Sequence, residues 1–98
     1  MDRRVEWSDK ALEAFKAIIF YYKQNDSRQA ALKFQNVVFK KIEQLKQQPL
    51  IGTKSPLFKT IRKIRIDTHR QMAYRVKGRT LYISNFWDNR RNPDDKPF

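Results

Sequence analysis

The sequence predicts an α+β fold: a helical hairpin packed on one face of an antiparallel sheet of three to four strands, in the order β-α-α-β-β-β. Three observations carry this. Two stretches in the first half space their apolar residues at helical intervals. From Ile61 onward the apolar period changes to two. Short polar breaks then divide that second half into three runs. The 98 residues, 40% of them hydrophobic, suffice for one domain spanning 1–98, since two would each be too short to bury a core.

At the start, RRVEW alternates Arg4 and Glu6 against Val5 and Trp7 and reads as a short strand. Ser8 follows at an N-cap position, with Asp9 in the first turn, where negative charge suits the helix dipole. Leu12, Phe15, Ile18, Ile19 and Tyr22 draw one helical stripe, which QNDS breaks. A second helix starts near Ser27, with Ala30, Ala31, Phe34, Val37, Val38, Ile42 and Leu45 on its stripe; Pro49 cannot continue it. So short a link makes the pair an antiparallel hairpin.

In IRKIRI, Ile64 and Ile66 face one way and Lys63 and Arg65 the other; Ile61 is out of phase, which predicts a bulge or a later strand start. RQMAYRV sets Met72, Tyr74 and Val76 against Ala73 and Arg75. KGR is a tight turn in which Gly78 is free to take positive φ. TLYISNFW sets Leu81 and Ile83 against Tyr82, Ser84 and Phe86. The first strand joins this meander at an edge or beside the last strand, and the pattern leaves both open. With the hairpin on one face, the other is a basic concave surface carrying Lys63, Arg65 and Arg75, with Tyr82 a further candidate.

Charge is the strongest global feature: 22 basic against 10 acidic residues, net +12. Residues 54–91 hold 11 Lys and Arg against Asp67 and Asp88, net +9, whereas residues 1–53 carry net +4. Such a surface attracts a polyanion, whether nucleic acid, a nucleoprotein or an acidic protein. Cysteine is absent and His69 is the single histidine, which excludes disulfides and leaves too few ligands for an ordinary zinc site. No cofactor or metal is expected. The first residues lack the apolar segment of a signal peptide, and AIIFYY is far short of the roughly 20 residues of a membrane span. The expectation is a cytoplasmic protein with no membrane partner.

Taken in order and at these spacings, VEWSDKALEAFKAIIFYY, PLIG, IRKIRI, MAYRV and FWDNRRNP resemble the RelE/ParE superfamily of toxins from bacterial type II toxin–antitoxin modules. The ending, with its aromatic, Asp, Arg and Pro, is similar to the ParE-like branch of plasmid-stabilisation toxins. The resemblance covers nearly the whole chain. It implies a cytoplasmic, growth-inhibiting toxin held silent by an antitoxin protein. The net positive charge and the spare apolar residues Ala14, Phe20 and Tyr21 make that partner acidic and able to wrap the hairpin. ParE-like members inhibit DNA gyrase, whereas RelE-like members cut messenger RNA in the ribosomal A site.

Cleavage of that kind deprotonates a 2′-hydroxyl, stabilises charge on the phosphate and protonates the leaving oxygen. If the chain is a nuclease, Lys63 or Arg65 would hold the phosphate, Arg75 would be a second clamp, and Tyr82 or His69 would move protons. Each has a plainer reading: Arg62 and Lys63 as solvated edge residues, Tyr82 as cover for the sheet, His69 as a turn residue in DTHRQ. His-dependent nucleases of this superfamily place a histidine near the C-terminus, and WDNRRNPDDKPF has none. The leading expectation is therefore a ParE-like toxin acting by binding, with Arg62, Arg79 and Arg91 toward the target. A ribosome-dependent endoribonuclease is the alternative. A non-toxin nucleic-acid-binding domain is a third reading, which needs aromatics among the cations, where Tyr82 and Phe86 alone qualify.

The ending SNFWDNRRNPDDKPF supplies the last candidates. Trp87 and Phe86 would close the core, and Asp88 would bond Arg90, or alternatively Arg75, as a latch that fixes where the tail leaves the sheet. Arg91, Lys96 and Phe98 would then be available to a partner.

Overall fold

In the computed structural model the described residues are 3–88. Strand β1 (Arg4–Trp7) is followed by helices α1 (Asp9–Asn25) and α2 (Arg28–Gln47). Strands β2 (Thr53–Lys54), β3 (Arg62–Arg65), β4 (Arg70–Lys77) and β5 (Thr80–Asp88) complete the order. Both helix starts are capped as their sequences require: Ser8 Oγ accepts the Ala11 N–H and Ser27 Oγ accepts the Ala30 N–H, each at 3.0 Å. Ser8 also donates its hydroxyl to the Ser84 carbonyl at 2.8 Å, so the same residue ties the helix start to β5.

The sheet has five strands, in the order β1-β5-β4-β3-β2. It is mixed rather than wholly antiparallel. β1 lies parallel to β5, with Arg4 opposite Thr80 and Trp7 opposite Ile83. Parallel neighbours need a long crossover, and everything between them supplies it. β2 exceeds the expected strand count by pairing Thr53 with Lys63 and Lys54 with Arg62. Gly78 makes the β4–β5 turn at φ +60°.

A bulge corrects the phase read for the last strand. Ala73 pairs with Asn85 but Tyr74 pairs with Ile83, so Ser84 is an extra residue. Beyond it the alternation reverses. Phe86, expected beside Tyr82, instead joins Leu81 and Ile83 in the core, and Trp87 turns to the opposite face. Ile61 needs no bulge: it shares the phase of Lys63 and Arg65 and packs with Ala73 and Trp87 on that opposite face.

The core lies between the hairpin and the sheet, around Phe34, Val38, Ile42 and Leu45 of α2 and Met72, Tyr74, Leu81, Ile83 and Phe86. Trp7 meets Phe15 edge-on with ring centroids 5.3 Å apart, and both rings lie within 6 Å of Phe86 (5.7 and 5.8 Å), joining β1, α1 and β5. On α1 Phe15, Ile18, Ile19 and Tyr22 pack against the core as expected, but at the start of the stripe Leu12 is exposed and Ala11 is buried instead. Among the described residues, no helix is long and apolar enough to cross a membrane.

Candidate functional site

Strand register places Lys63, Arg65, Arg75 and Tyr82 on the sheet face away from the helices. Lys63 lies opposite Ala73, Arg65 opposite Gln71, and Arg75 opposite Tyr82. They form a stripe more than a pocket. With ~3.3 Å per residue along a strand and ~4.8 Å between strands, the Arg65 and Tyr82 backbones stand ~16 Å apart. Arg75 and Tyr82 are already engaged: the guanidinium lies over the phenol ring, 5.0 Å from its centroid. The buried patch of Ala73 and Trp87, with Ile61, adjoins the cations on this face. Arg79 is exposed in the β4–β5 turn, where its carbonyl accepts the Arg4 N–H at 2.8 Å.

Arg62 has a different situation. Its register partner is Tyr74, on the core side, and its guanidinium donates to the carbonyls of Leu50 (3.2 Å) and Gly52 (2.8 Å). Tyr74 holds the same loop from below. Its hydroxyl accepts the Gly52 N–H at 2.9 Å and donates to the Pro49 carbonyl at 2.8 Å. This explains the glycine of PLIG: a Cβ at Gly52 would stand 2.3 Å from the Tyr74 hydroxyl and 2.9 Å from the Lys63 carbonyl oxygen. Burial pushes the Tyr74 phenol above its ordinary value, while the Gly52 hydrogen bond and the Arg62 charge pull it partly back.

Sequence reasoning did not single out Arg70, which is only 5% exposed. Its guanidinium donates to the Tyr22 hydroxyl and lies 4.8 Å from the centre of that ring. One nitrogen stands 3.8 Å from Asp67 and the other 3.7 Å from Asp88. Asp67 also shapes the DTHRQ turn, accepting the N–H groups of His69 and Arg70 at 2.9 Å each. An open cleft of about 330 Å³ beside Arg70 is lined by Tyr21, Tyr22, Asp26, Asp67, Thr68 and His69. The signal for Arg70 was its phase, since it shares the core-facing alternation of Met72, Tyr74 and Val76.

Trp87 is 9% exposed at the end of the far-face patch. Asp88 therefore meets Arg70. Arg90 and Arg91, with the rest of the ending, lie outside the described residues. Also among the described residues, no group of His, Cys, Asp and Glu is arranged to hold a metal ion.

Over residues 5–93 the sequence matches the family described as ParE toxin of type II toxin-antitoxin system, parDE, and the chain belongs to that family. No curated protein matches it in sequence. Among solved structures it is similar to the chromosomal ParDE toxin–antitoxin system of P. aeruginosa, with TM-score 0.73 and 22% identity over 88% of this chain and 95% of that one. The YoeB/ParE toxin from Agrobacterium tumefaciens gives TM-score 0.65 and 14% identity over 87% and 96%. The E. coli DinJ–YafQ toxin–antitoxin complex gives 0.66 and 12% over 92% and 96%. At these identities the structural likenesses establish the fold.

Proposed function

We propose that this toxin inhibits DNA gyrase by binding it, in the cytoplasm, and that an acidic antitoxin protein silences it. The family match along residues 5–93 carries the reading. The basic face supports binding over cleavage. Its candidate catalytic side chains are strung along the sheet, and Arg75 and Tyr82 occupy each other. A positive stripe of this kind engages a large anionic or nucleoprotein surface without needing one reacting centre. Gyrase working on DNA offers such a surface, and Arg79 and Arg91 are the further cations proposed to bind it.

An antitoxin partner agrees with the similar structures, which include the DinJ–YafQ complex and the YoeB–YefM complex of Staphylococcus aureus. Net charge of +12 and exposed Phe20, Tyr21, Leu32 and Phe39 on the hairpin suit an acidic polypeptide that orders on binding.

The second reading, a ribosome-dependent messenger RNA endonuclease, draws on Lys63, Arg65, Arg75 and Tyr82 sharing one face. One experiment separates the two: expression from a repressible promoter, followed by plasmid topology and mapping of message 5′ ends. Altered supercoiling with intact messages is expected. New 5′ ends at codon boundaries with unchanged supercoiling would overturn the gyrase assignment.

A further inference from the structure

Four large apolar side chains stand in solvent on either side of β2: Leu50 at 67% exposure, Ile51 at 45%, Leu57 at 64% and Phe58 at 51%. The loop bearing them is firmly held. Arg62 and Tyr74 clamp the backbone from Pro49 to Gly52. On the other side buried Ser55 accepts the N–H groups of Leu57 and Phe58 at 3.2 Å each, and its own N–H donates to the Ile61 carbonyl at 2.9 Å. Buried polar groups thus fix a backbone whose apolar side chains point outward. The folded chain gains little from this display, because exposed aliphatic and aromatic surface is a liability without a partner.

The surrounding charge is of one sign. Residues 49–66 contain five Lys and Arg and no Asp or Glu, whereas Lys46 before them is paired with Glu43 at 3.3 Å. Of these, Lys54 and Lys59 are exposed within the loop.

We infer that the 49–60 loop is a preformed docking knob for the antitoxin, taking an acidic segment of that protein that carries large apolar residues. The inference rests on the toxin–antitoxin reading above. Nucleic acid would use the cations but not the aliphatic side chains. A long-lived partner is favoured over a transient target because stable interfaces bury more apolar surface, and a rigid loop loses little freedom on binding. The one-sign rim makes the occupant acidic.

The test uses the whole chain and, as probe, the protein encoded beside it. Affinity is measured for wild type, Leu57→Asp/Phe58→Asp, Lys54→Glu/Lys59→Glu and a charge-matched control, Arg4→Glu/Lys77→Glu on β1 and β4, away from both the hairpin and the loop. All these positions are exposed, so the variants are expected to melt like wild type. The apolar pair should weaken binding at least a hundredfold. The loop charge reversal should weaken it at least tenfold with a reduced salt dependence, and the control by less than threefold. Loop variants that bind within threefold of wild type would overturn the knob. So would variants that lose toxicity while keeping full affinity, since the loop would then face the target. A wild-type chain that does not bind the adjoining product at all would instead defeat the toxin–antitoxin pairing itself.

Discussion

The Arg70 guanidinium stands 3.7 Å from the Asp88 carboxylate across paired positions of β4 and β5. Arg70 is buried and Asp88 partly so. A charge-assisted contact at such a site contributes more than an exposed pair's ~0.2–1 kcal/mol. Asp88→Ala should lower stability in urea by about 1–3 kcal/mol. The Asp88–Arg90 latch is proposed beside this contact. Arg90→Ala should therefore also destabilise, and its effect combined with Asp88→Ala should be less than additive. Strict additivity would show that Arg90 does not anchor on Asp88.

Tyr74→Phe removes two hydrogen bonds and leaves the Gly52 N–H and the Pro49 carbonyl without their phenol partner. A loss of about 1–3 kcal/mol is expected. Its pH dependence has a defined sign. Because the folded phenol is raised above its ordinary value near 10, its contribution is fully present below that pH. The contribution is lost as pH rises through the higher folded value, where the unfolded chain binds fewer protons. Wild type should therefore lose more melting temperature than Tyr74→Phe in the alkaline range. Parallel curves for the two proteins would refute the assignment.

Gly52→Ala pushes a methyl group into Tyr74 and the Lys63 carbonyl. Overpacking of this sort costs about 1–3 kcal/mol. Since the hydroxyl is the closest of these atoms, Gly52→Ala in the Tyr74→Phe background should cost less than in wild type. Chemical denaturation of the four proteins gives the coupling directly.

On the basic face, Arg75→Ala removes one cation–π contact with Tyr82 and should change stability by only ~0.5–1 kcal/mol. Message 5′ ends should be the same with wild type, Arg65→Ala and Arg75→Ala, because none is expected to cut RNA. If wild type does cut, each substitution should slow cleavage by about a hundredfold, equivalent to ~3 kcal/mol of lost phosphate stabilisation.

Much of this arrangement was legible because local chemistry and global fold agree. The Ser8 cap, the helix start near Ser27, the α2 stripe and the Gly78 turn all follow from side-chain type and spacing. Three features were not. Two-residue β2 is too short to show a period. The bulge at Ser84 reverses phase without any glycine to mark it. The position of β1 depends on a pairing far away in sequence. The site was less legible still, for one physical reason. Arg62 and Arg70 occupy the apolar phase of their strands, where a charge must find partners, yet those partners come from the PLIG loop, α1 and the end of β5. The pattern marks both arginines as unusual but does not name what they hold.

The bond between Ser8 and Ser84 spans 76 positions of the chain, and the parallel register of β1 with β5 closes beside it. During synthesis, β1 emerges first of the described strands and its neighbour emerges last. Until β5 is made, Val5 and Trp7 have no strand to lie against, and the aromatic cluster lacks Phe86. Completion of the sheet is a late, non-local event, of the kind that slows folding. A sheet built this way stays incomplete until translation has passed the end of β5. Any surface that depends on the finished sheet, the basic face included, is therefore presented only after β5 has been made.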